Sequence, residues 1–288
     1  MAWHSIHFLR LLAAVPVAVA LSAAAVAENA TAGVAEGPEL SAAQIVEKNV
    51  AARGGSEAWR KVQSMAWAGR VQSATAQSDL PFVMELKRPN KTHFAVKGIK
   101  GSSLRVFDGS QGWKVQPSAN GIPEAKPFAA EELQFSRDAQ SIDGPLIDHE
   151  AKGVTISLEG IDQVEGRKAY RLNVRLASGA VQHFWIDAET FLEIKSDRVG
   201  RNAAGLAAPV TIFYRDHRAF EGLILPVLIE TGVGSGKTPD RMFIDKIAIN
   251  PAIDDQAFER PRLPGTSRHS VTVRALPETP APSTRRAP

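Results

Sequence analysis

Cysteine is missing from the whole 288-residue chain. This absence excludes disulfide bonds, thiol nucleophiles, cysteine-based zinc sites and iron–sulfur clusters. It also excludes the acylated cysteine through which bacterial lipoproteins are anchored. Long apolar runs are missing as well, because no segment after the N-terminal region reaches the roughly 20 residues of a membrane-spanning helix.

Charge of one sign is not concentrated in any part of the chain. Its 34 lysines and arginines are interspersed with 31 aspartates and glutamates, which leaves a net charge of +3. A nucleic-acid-binding protein would cluster its basic residues on one segment or face. We therefore expect no nucleic acid among the partners. The histidines lack the spacing of a helical His-x-x-x-His pair, so we also expect no metal and no cofactor.

The N-terminus has the three parts of a secretory signal peptide. Arg10 supplies positive charge, residues 11–26 are apolar apart from Ser22, and Ala25-Val26-Ala27 has the small-x-small pattern of a cleavage site. The alternative is an N-terminal membrane anchor, but the run is short for a bilayer and consists largely of alanine. We predict export with cleavage after about Ala27, a periplasmic location in a Gram-negative host, and a flexible lead-in over residues 28–40.

Beyond the lead-in, helical spacing gives way to strict alternation. We predict that a helix begins at Ser41, which can cap it, and ends at Gly54-Gly55, with a short helical turn over residues 56–62. From Met65 onward, apolar and polar residues alternate, with turn signals about every ten residues. This pattern predicts about eleven or twelve antiparallel strands.

Between residues 123 and 149 the alternation pauses, and residues 128–139 and 141–147 have the pattern of two short helices. So few helices cannot cover both faces of so large a sheet, so we expect the sheet to curl. We predict a mainly β (α+β) fold, a half-open curved antiparallel β-barrel plugged by a few helices, as one domain over residues 41–262. The Pro-, Thr-, Ser- and Arg-rich residues 263–288 predict a disordered tail.

Large apolar side chains recur on alternating faces of different strands. If the sheet curls, one of its faces points inward, and these side chains would line an apolar lumen. The alternative is a conventional packed core, which also places apolar residues inside. The candidate lining residues are Trp67, Phe82, Met84, Phe94, Trp113, Phe184 and Tyr214.

Two arginines stand on strands that are otherwise rich in apolar residues. Arg88 and Arg105 are candidates for contact with a polar head group or with a lid helix at the mouth of the lumen. The simpler alternative is an arginine that faces outward into solvent.

Two histidines lie in charged triplets, His149 between Asp148 and Glu150, and His217 between Asp216 and Arg218. Either is a candidate general base, which would make the protein a hydrolase. No serine stands at a recognisable strand-to-helix elbow. We therefore expect two exposed histidines without a catalytic role and a non-enzymatic protein.

A glycine-rich stretch at residues 231–238 resembles a phosphate-binding loop. That motif needs glycine at its first position and a helix after it. Here the first position is Thr231, and Pro239-Asp240 and a predicted strand follow. We predict a glycine-rich hairpin.

A set of short motifs, spread from Ser41 to Pro261, resembles the outer-membrane lipoprotein carrier superfamily (LolA/LolB-like), especially its longer lipoprotein-sorting members. The order and spacing of the motifs carry the resemblance, since each motif is short. They include Ala52-Arg53-Gly54-Gly55, Trp67-Ala68-Gly69, Leu86-Lys87-Arg88-Pro89, Phe107-Asp108-Gly109, Asp143-Gly144-Pro145-Leu146, Val164-Glu165-Gly166-Arg167 and Tyr214-Arg215-Asp216.

The resemblance implies a half-open barrel with a helical lid over an apolar cavity that shelters acyl chains. Its expected partners are lipid or lipoprotein acyl chains and a membrane-bound donor or acceptor protein, and the expected state is a monomer. The first hypothesis is therefore a periplasmic carrier of an acylated lipoprotein, a lipid or a similar amphiphile. The alternatives are a sensor or scaffold of the same fold that acts through a protein partner, and a hydrolase that uses one of the two histidines.

Overall fold

The computed structural model describes residues 40–73, 78–98, 101–116, 123–139, 142–201, 206–234 and 238–263. The predicted signal peptide, the lead-in up to residue 39 and the tail from residue 264 lie outside these ranges. Within them, no helix has the length and apolar character required to cross a membrane.

The described residues form three α-helices, one 3-10 helix and thirteen strands. The helices are α1 (Ala42–Ala52), α2 (Ser56–Lys61), α3 (Ala130–Asp138) and the 3-10 helix Asp255–Phe258. The strands are β1 (Ser64–Gln72), β2 (Leu80–Lys87), β3 (Lys91–Gly98), β4 (Gly101–Phe107), β5 (Gly112–Gln116), β6 (Glu124–Pro127), β7 (Thr155–Val164), β8 (Arg167–Arg175), β9 (Val181–Asp187), β10 (Glu193–Arg201), β11 (Ala207–Phe220), β12 (Leu223–Val233) and β13 (Asp240–Ile249).

All of these strands belong to one antiparallel sheet. Its order is β6-β5-β4-β3-β2-β1-β13-β12-β11-β10-β9-β8-β7, so that β1 pairs with β13 and the two halves of the chain continue outward from that junction. Strands β6 and β7 form the two edges, and the pairing among the described residues does not close the sheet. The predicted mainly β fold, a curved and half-open antiparallel sheet with few helices, is confirmed.

The strand count exceeds the predicted eleven or twelve because β6 lies in the segment where the alternation pauses. Its sequence, Glu124-Ala125-Lys126-Pro127, has no apolar alternation and ends in proline. Pairing with β5 holds it in the sheet, with Trp113 opposite Pro127. An edge position tolerates the proline, since the missing N–H faces away from the sheet.

Helix α1 begins and ends where the sequence predicts. The Ser41 hydroxyl accepts from the Gln44 backbone N–H (3.3 Å), and the Gln44 side chain accepts from the Ser41 N–H (2.9 Å), which together form a capping box. At the other end, Gly54 has φ +110°, and a Cβ there would collide with the Gly222 carbonyl oxygen. Glycine therefore allows the helix end to pack closely against the β11–β12 turn.

The three α-helices pack on one face of the sheet, which we call the inner face and which carries Trp67 and Phe184. Trp59 of α2 is fully buried in a cluster with Phe82 and Leu86. Ile45 of α1 is fully buried in a second cluster, together with Leu172 and Ile186.

Between these two clusters lies the turn segment, residues 142–153. It contributes Ile142 and Ile147 to the first cluster and Leu146 to the second. The short helix predicted at residues 141–147 is wrong for the described part, since residues 142–153 form consecutive turns. The reason is local, because Gly144 adopts φ +73° and Pro145 follows it.

The glycine-rich stretch at residues 231–238 connects two strands, as predicted. Strand β12 continues through Val233, β13 begins at Asp240, and Thr231 pairs with Asp240. A helix N-terminus that could hold a phosphate does not follow the described part of this stretch.

Candidate functional site

A cavity of about 250 Å³ lies on the inner face, between the sheet and the roof formed by α3 and the turn segment. Its lining residues follow β11 from Ile212 to His217. At about 3.4 Å per residue this stretch is roughly 17 Å long. Other lining residues lie on β1, β9, β10 and β12. The apolar lining side chains and glycine are Trp67, Phe135, Ala139, Ile142, Gly144, Pro145, Phe184, Ile212, Ile224, Leu225, Pro226 and Ile229.

Helix α3 is attached to the sheet through polar contacts. The Glu132 carboxylate accepts from Arg105 Nη1 (2.9 Å), Lys114 Nζ (2.6 Å) and the Ala129 N–H (3.0 Å). Burial alone would raise the pKa of Glu132, but these hydrogen bonds outweigh it and lower the pKa to about 2. Asn90 adds donors to the Ser136 and Arg137 carbonyls at 2.9 and 3.0 Å.

Arg105 thus contacts the roof from the inner face, where it also lies over the Phe128 ring at 4.4 Å. The outward-facing alternative does not describe it. It does not line the cavity described above, so its predicted contact with a ligand head group stays a prediction.

Arg88 contacts the turn segment. It donates to the carbonyls of Val62 (2.7 Å) and Trp59 (3.0 Å) at the end of α2 and to Asp143 Oδ2 (2.8 Å). Asp143 also accepts from Lys152 Nζ at 2.7 Å. Arg88 therefore joins α2 to the second part of the roof, and it too lies outside the cavity lining.

At one end of the cavity, Arg53 and Glu193 form an ion pair at 3.0 Å, with side chains 12% and 14% exposed. Arg53 Nη1 also donates to the Asp143 carbonyl (3.3 Å), and the guanidinium lies 4.6 Å from the centre of the Trp59 ring. The charge of Arg53 is thus neutralised locally.

Ser196 and Tyr214 form a hydrogen bond of 2.9 Å between their hydroxyl groups in the cavity wall. Burial raises the pKa of Tyr214, so its hydroxyl is neutral at ordinary pH. This part of the wall is polar but uncharged.

His217 lines the same cavity, and burial lowers its pKa, so the ring is neutral at pH 7. Its Nε2 is buried without a hydrogen-bond partner in the described structure. His149 lies in the turn segment, with Nδ1 3.2 Å from the Val154 carbonyl. The prediction of two exposed histidines is wrong, since both rings are partly buried by the roof or the inner face.

Three of the seven predicted lining residues, Trp67, Phe184 and Tyr214, do line the cavity. They come from β1, β9 and β11, which the sheet order brings to the same inner face.

Three others lie on the inner face but beside the cavity, in the cluster around Trp59. Phe82 is 2% exposed, and its ring centre lies 5.8 Å from that of Phe94. Met84 pairs with Phe94 across the strands. These side chains fill space that would otherwise be open.

Trp113 lies on the opposite face. It pairs with Val106, which pairs with His93, whereas the inner-face residue Phe94 pairs with Arg105. Directly opposed residues share a face of an antiparallel sheet. Trp113 therefore does not join the other six.

Sequence reasoning missed Arg198, Arg53, Glu193 and Phe135, all of which line the cavity. On β10, Ser196 and Arg198 alternate with Lys195, Asp197 and Val199, so neither face of this strand stands out as apolar. Arg198 is notable because an arginine occupies a position on the inner face of the strand. That position is known only once the register with β9 and β11 is known.

Among the described residues, no group of three or more His, Cys, Asp or Glu side chains is close enough to hold a metal ion. No family model matches the chain, and no curated protein sequence matches it.

Solved structures do match the fold. A LolA superfamily protein from Nitrosomonas europaea is 12% identical, with 77% of this chain and 98% of that chain covered and a TM-score of 0.49. A putative outer membrane lipoprotein-sorting protein domain from Vibrio parahaemolyticus is 10% identical, with 74% and 94% covered and a TM-score of 0.47. The Mycobacterium tuberculosis lipoprotein LppX is 11% identical, with 73% and 97% covered and a TM-score of 0.31. At these identities the likeness concerns the fold and not the ligand.

Proposed function

We propose that the protein is a non-enzymatic periplasmic carrier, which binds an acyl chain of a lipid, a lipid-modified protein or a similar amphiphile in the inner-face cavity. The supporting observation is the cavity of about 250 Å³, walled mainly by apolar side chains and covered by a roof that is not part of the sheet. Transfer of an apolar ligand from water into such a cavity is favourable by itself, so binding requires no catalytic step.

The volume favours one slender chain over a bulky ligand. An apolar cavity of about 150 Å³ already takes up benzene, whereas pockets for drug-sized ligands run from about 300 to 1,000 Å³. The present cavity lies between these values. Cargo with several acyl chains would require the roof to move.

The energetics favour reversible binding. Each CH₂ group removed from water contributes about 0.8 kcal/mol, so about six of them would contribute about 5 kcal/mol. That is sufficient for a complex that forms and dissociates, as a carrier requires.

Helix α3, one of the two parts of the roof, has the properties of a part that can open. None of the described side chains of α3 is fully buried. Its Glu132 contacts with Arg105 and Lys114 are partly exposed, with these two side chains 41% and 29% accessible. Opening of α3 would break these polar contacts but would not remove a fully buried side chain from the core.

Tryptophan fluorescence tests the proposal, because Trp67 lines the cavity and Trp113 lies on the other face. Addition of a neutral acyl ligand such as monopalmitoylglycerol should change the emission of the wild-type protein. The change should disappear in Trp67→Phe and persist in the matched control Trp113→Phe. Mass spectrometry of an organic extract of the purified protein should identify a copurifying amphiphile.

The proposal fails if neither tryptophan responds and the ligand does not displace a bound neutral apolar dye such as Nile red. A response that depends on Trp113 instead would place the ligand on the wrong face of the sheet.

A further inference from the structure

Arg198 stands at the end of the cavity opposite to the Arg53–Glu193 pair. It lies on the inner face of β10, directly between Gln182 of β9 and Val210 of β11. The guanidinium carbon lies 4.1 Å from the centre of the Phe135 ring, so the roof helix α3 covers it.

Gly200, two positions further along β10, makes room for this side chain. A Cβ on Gly200 would lie 3.1 Å from Nη1 of Arg198 and would collide with the side chain of Val210. The strand is thus built so that the guanidinium can lie along the inner face.

Among the residues that the structure describes, the guanidinium of Arg198 has no carboxylate partner. In the described parts of the chain its hydrogen-bond donors meet neither an acceptor nor an ion-pair partner, whereas Arg53, Arg88 and Arg105 each pair with an aspartate or glutamate. The internal gaps between the described ranges contain no Asp or Glu that could supply one.

Burial lowers the pKa of Arg198, and the sole electrostatic contribution that opposes this comes from Tyr214. A guanidinium is nevertheless charged at any ordinary pH. A partly desolvated charge without a partner is unfavourable, and an incoming anion that forms two parallel hydrogen bonds would relieve the cost.

The remaining charges in the cavity cancel. Arg53 pairs with Glu193, and His217 and Tyr214 are neutral near pH 7. Among the described residues, Arg198 therefore leaves the cavity with one net positive charge at one end, while the rest of its wall is uncharged apart from the neutralised Arg53–Glu193 pair.

We propose that Arg198 binds the anionic head group, a carboxylate or a phosphate, of a single-chain amphiphile whose acyl chain lies in the cavity along β11. This inference rests on the proposed carrier function and names the ligand class. The Gln182 side-chain amide, opposite Arg198 on β9, would supply a further donor to the same head group.

The test compares three palmitoyl ligands, each measured by displacement of Nile red from the purified full chain. Palmitate carries a carboxylate, palmitoyl lysophosphatidate carries a phosphate, and monopalmitoylglycerol is neutral. The wild-type protein should bind at least one anionic ligand about tenfold more tightly than the neutral one, which corresponds to about 1.4 kcal/mol. The tighter of the two anions identifies the head group.

Arg198→Gln should abolish this preference and leave the affinity for monopalmitoylglycerol unchanged. Arg198→Lys should retain part of it, because lysine keeps the charge but not the two-pronged geometry. The matched control Arg175→Gln, which removes an exposed arginine of β8, should behave as the wild type.

Two results would overturn the inference while sparing the carrier function, namely equal binding of anionic and neutral ligands by the wild type, or an undiminished anion preference in Arg198→Gln. If none of the three ligands binds and none displaces the dye, the carrier function itself fails, and this inference fails with it.

Discussion

The two halves of the inner face differ in the size of their side chains. On β2 the inner positions hold Phe82, Met84 and Leu86, and this half is filled, with Phe82 and Leu86 only 2% exposed. On β10 the inner positions include Ser196 and Arg198, and the cavity opens beside them. The cavity thus lies where bulk is missing from the face.

The two halves also differ in their expected roles, since one packs the core and the other binds the ligand. The filled half encloses Trp59 of α2 and has no room for a ligand of comparable size. The open half is covered by α3, which has no fully buried side chain. We therefore expect substitutions in the first half to change stability and substitutions in the second half to change ligand binding.

The largest expected effect is on the filled half. Leu86→Ala should lower the free energy of unfolding by about 2–5 kcal/mol, because it leaves a void in a close-packed cluster. Ile229→Ala, in the cavity wall, should lower it by less, since that side chain already borders open space. Urea denaturation monitored by circular dichroism measures both values, and equal losses would remove the contrast between the halves.

Filling the open half should abolish binding at little cost in stability. Ile212→Phe adds volume inside the cavity, and we expect the affinity for Nile red to fall at least tenfold, or about 1.4 kcal/mol. Thr211→Phe is the matched control, because it places the same ring on the outer face of the same strand. Unchanged dye binding in Ile212→Phe would locate the binding site elsewhere.

Acid should loosen the roof before it unfolds the filled half. The pKa of Glu132 is lowered to about 2 from an ordinary 4.5, so its contribution to the docking of α3 is complete above about pH 4.5 and disappears as the pH falls through 2. Hydrogen exchange of residues 130–138 should accelerate over this range relative to that of β2. In Glu132→Gln, the amides of residues 130–138 should exchange rapidly at all of these pH values. If the acceleration at low pH persists in this variant, another titrating group causes it.

The smallest expected effect concerns His217. Burial lowers its pKa, so its contribution to stability is fully present above its ordinary value of 6.5 and decreases as the pH falls through the lowered value. Between pH 7 and 5 the wild type should lose slightly more stability than His217→Gln, as urea denaturation at each pH would measure. Identical pH profiles of the two proteins would mean that the protonated His217 ring gains a hydrogen-bond partner or water, which offsets the cost of its buried charge.

Local sequence signals predicted the local structure well. Ser41 and Gln44 mark the start of α1, and the alternation on β1, β2 and β11 gives each strand and its two faces. The failures have physical causes. Strand β6 forms because β5 offers it a partner, and Gly144-Pro145 prevents the helix that its neighbours favour.

The candidate site was predicted in part. Alternation divides each of β4 and β5 into two faces but does not say which face of either strand is the inner one. That depends on the register between strands, which puts Trp113 opposite Val106. Arg198 was missed for the same reason, because neither face of its strand is predominantly apolar and the inner face could not be recognised from the sequence.

The class of the fold, the antiparallel pairing of its strands and the absence of thiol chemistry follow from the amino-acid sequence, because periodicity and composition act over short distances along the chain. Which side chains fill the inner face and which leave it open is known only from the three-dimensional structure. That outcome depends on the sum of side-chain volumes from strands and helices that are far apart in sequence. The same holds for Arg198, which stands in the cavity without a partner among the described residues, since pairing between distant strands sets its neighbours.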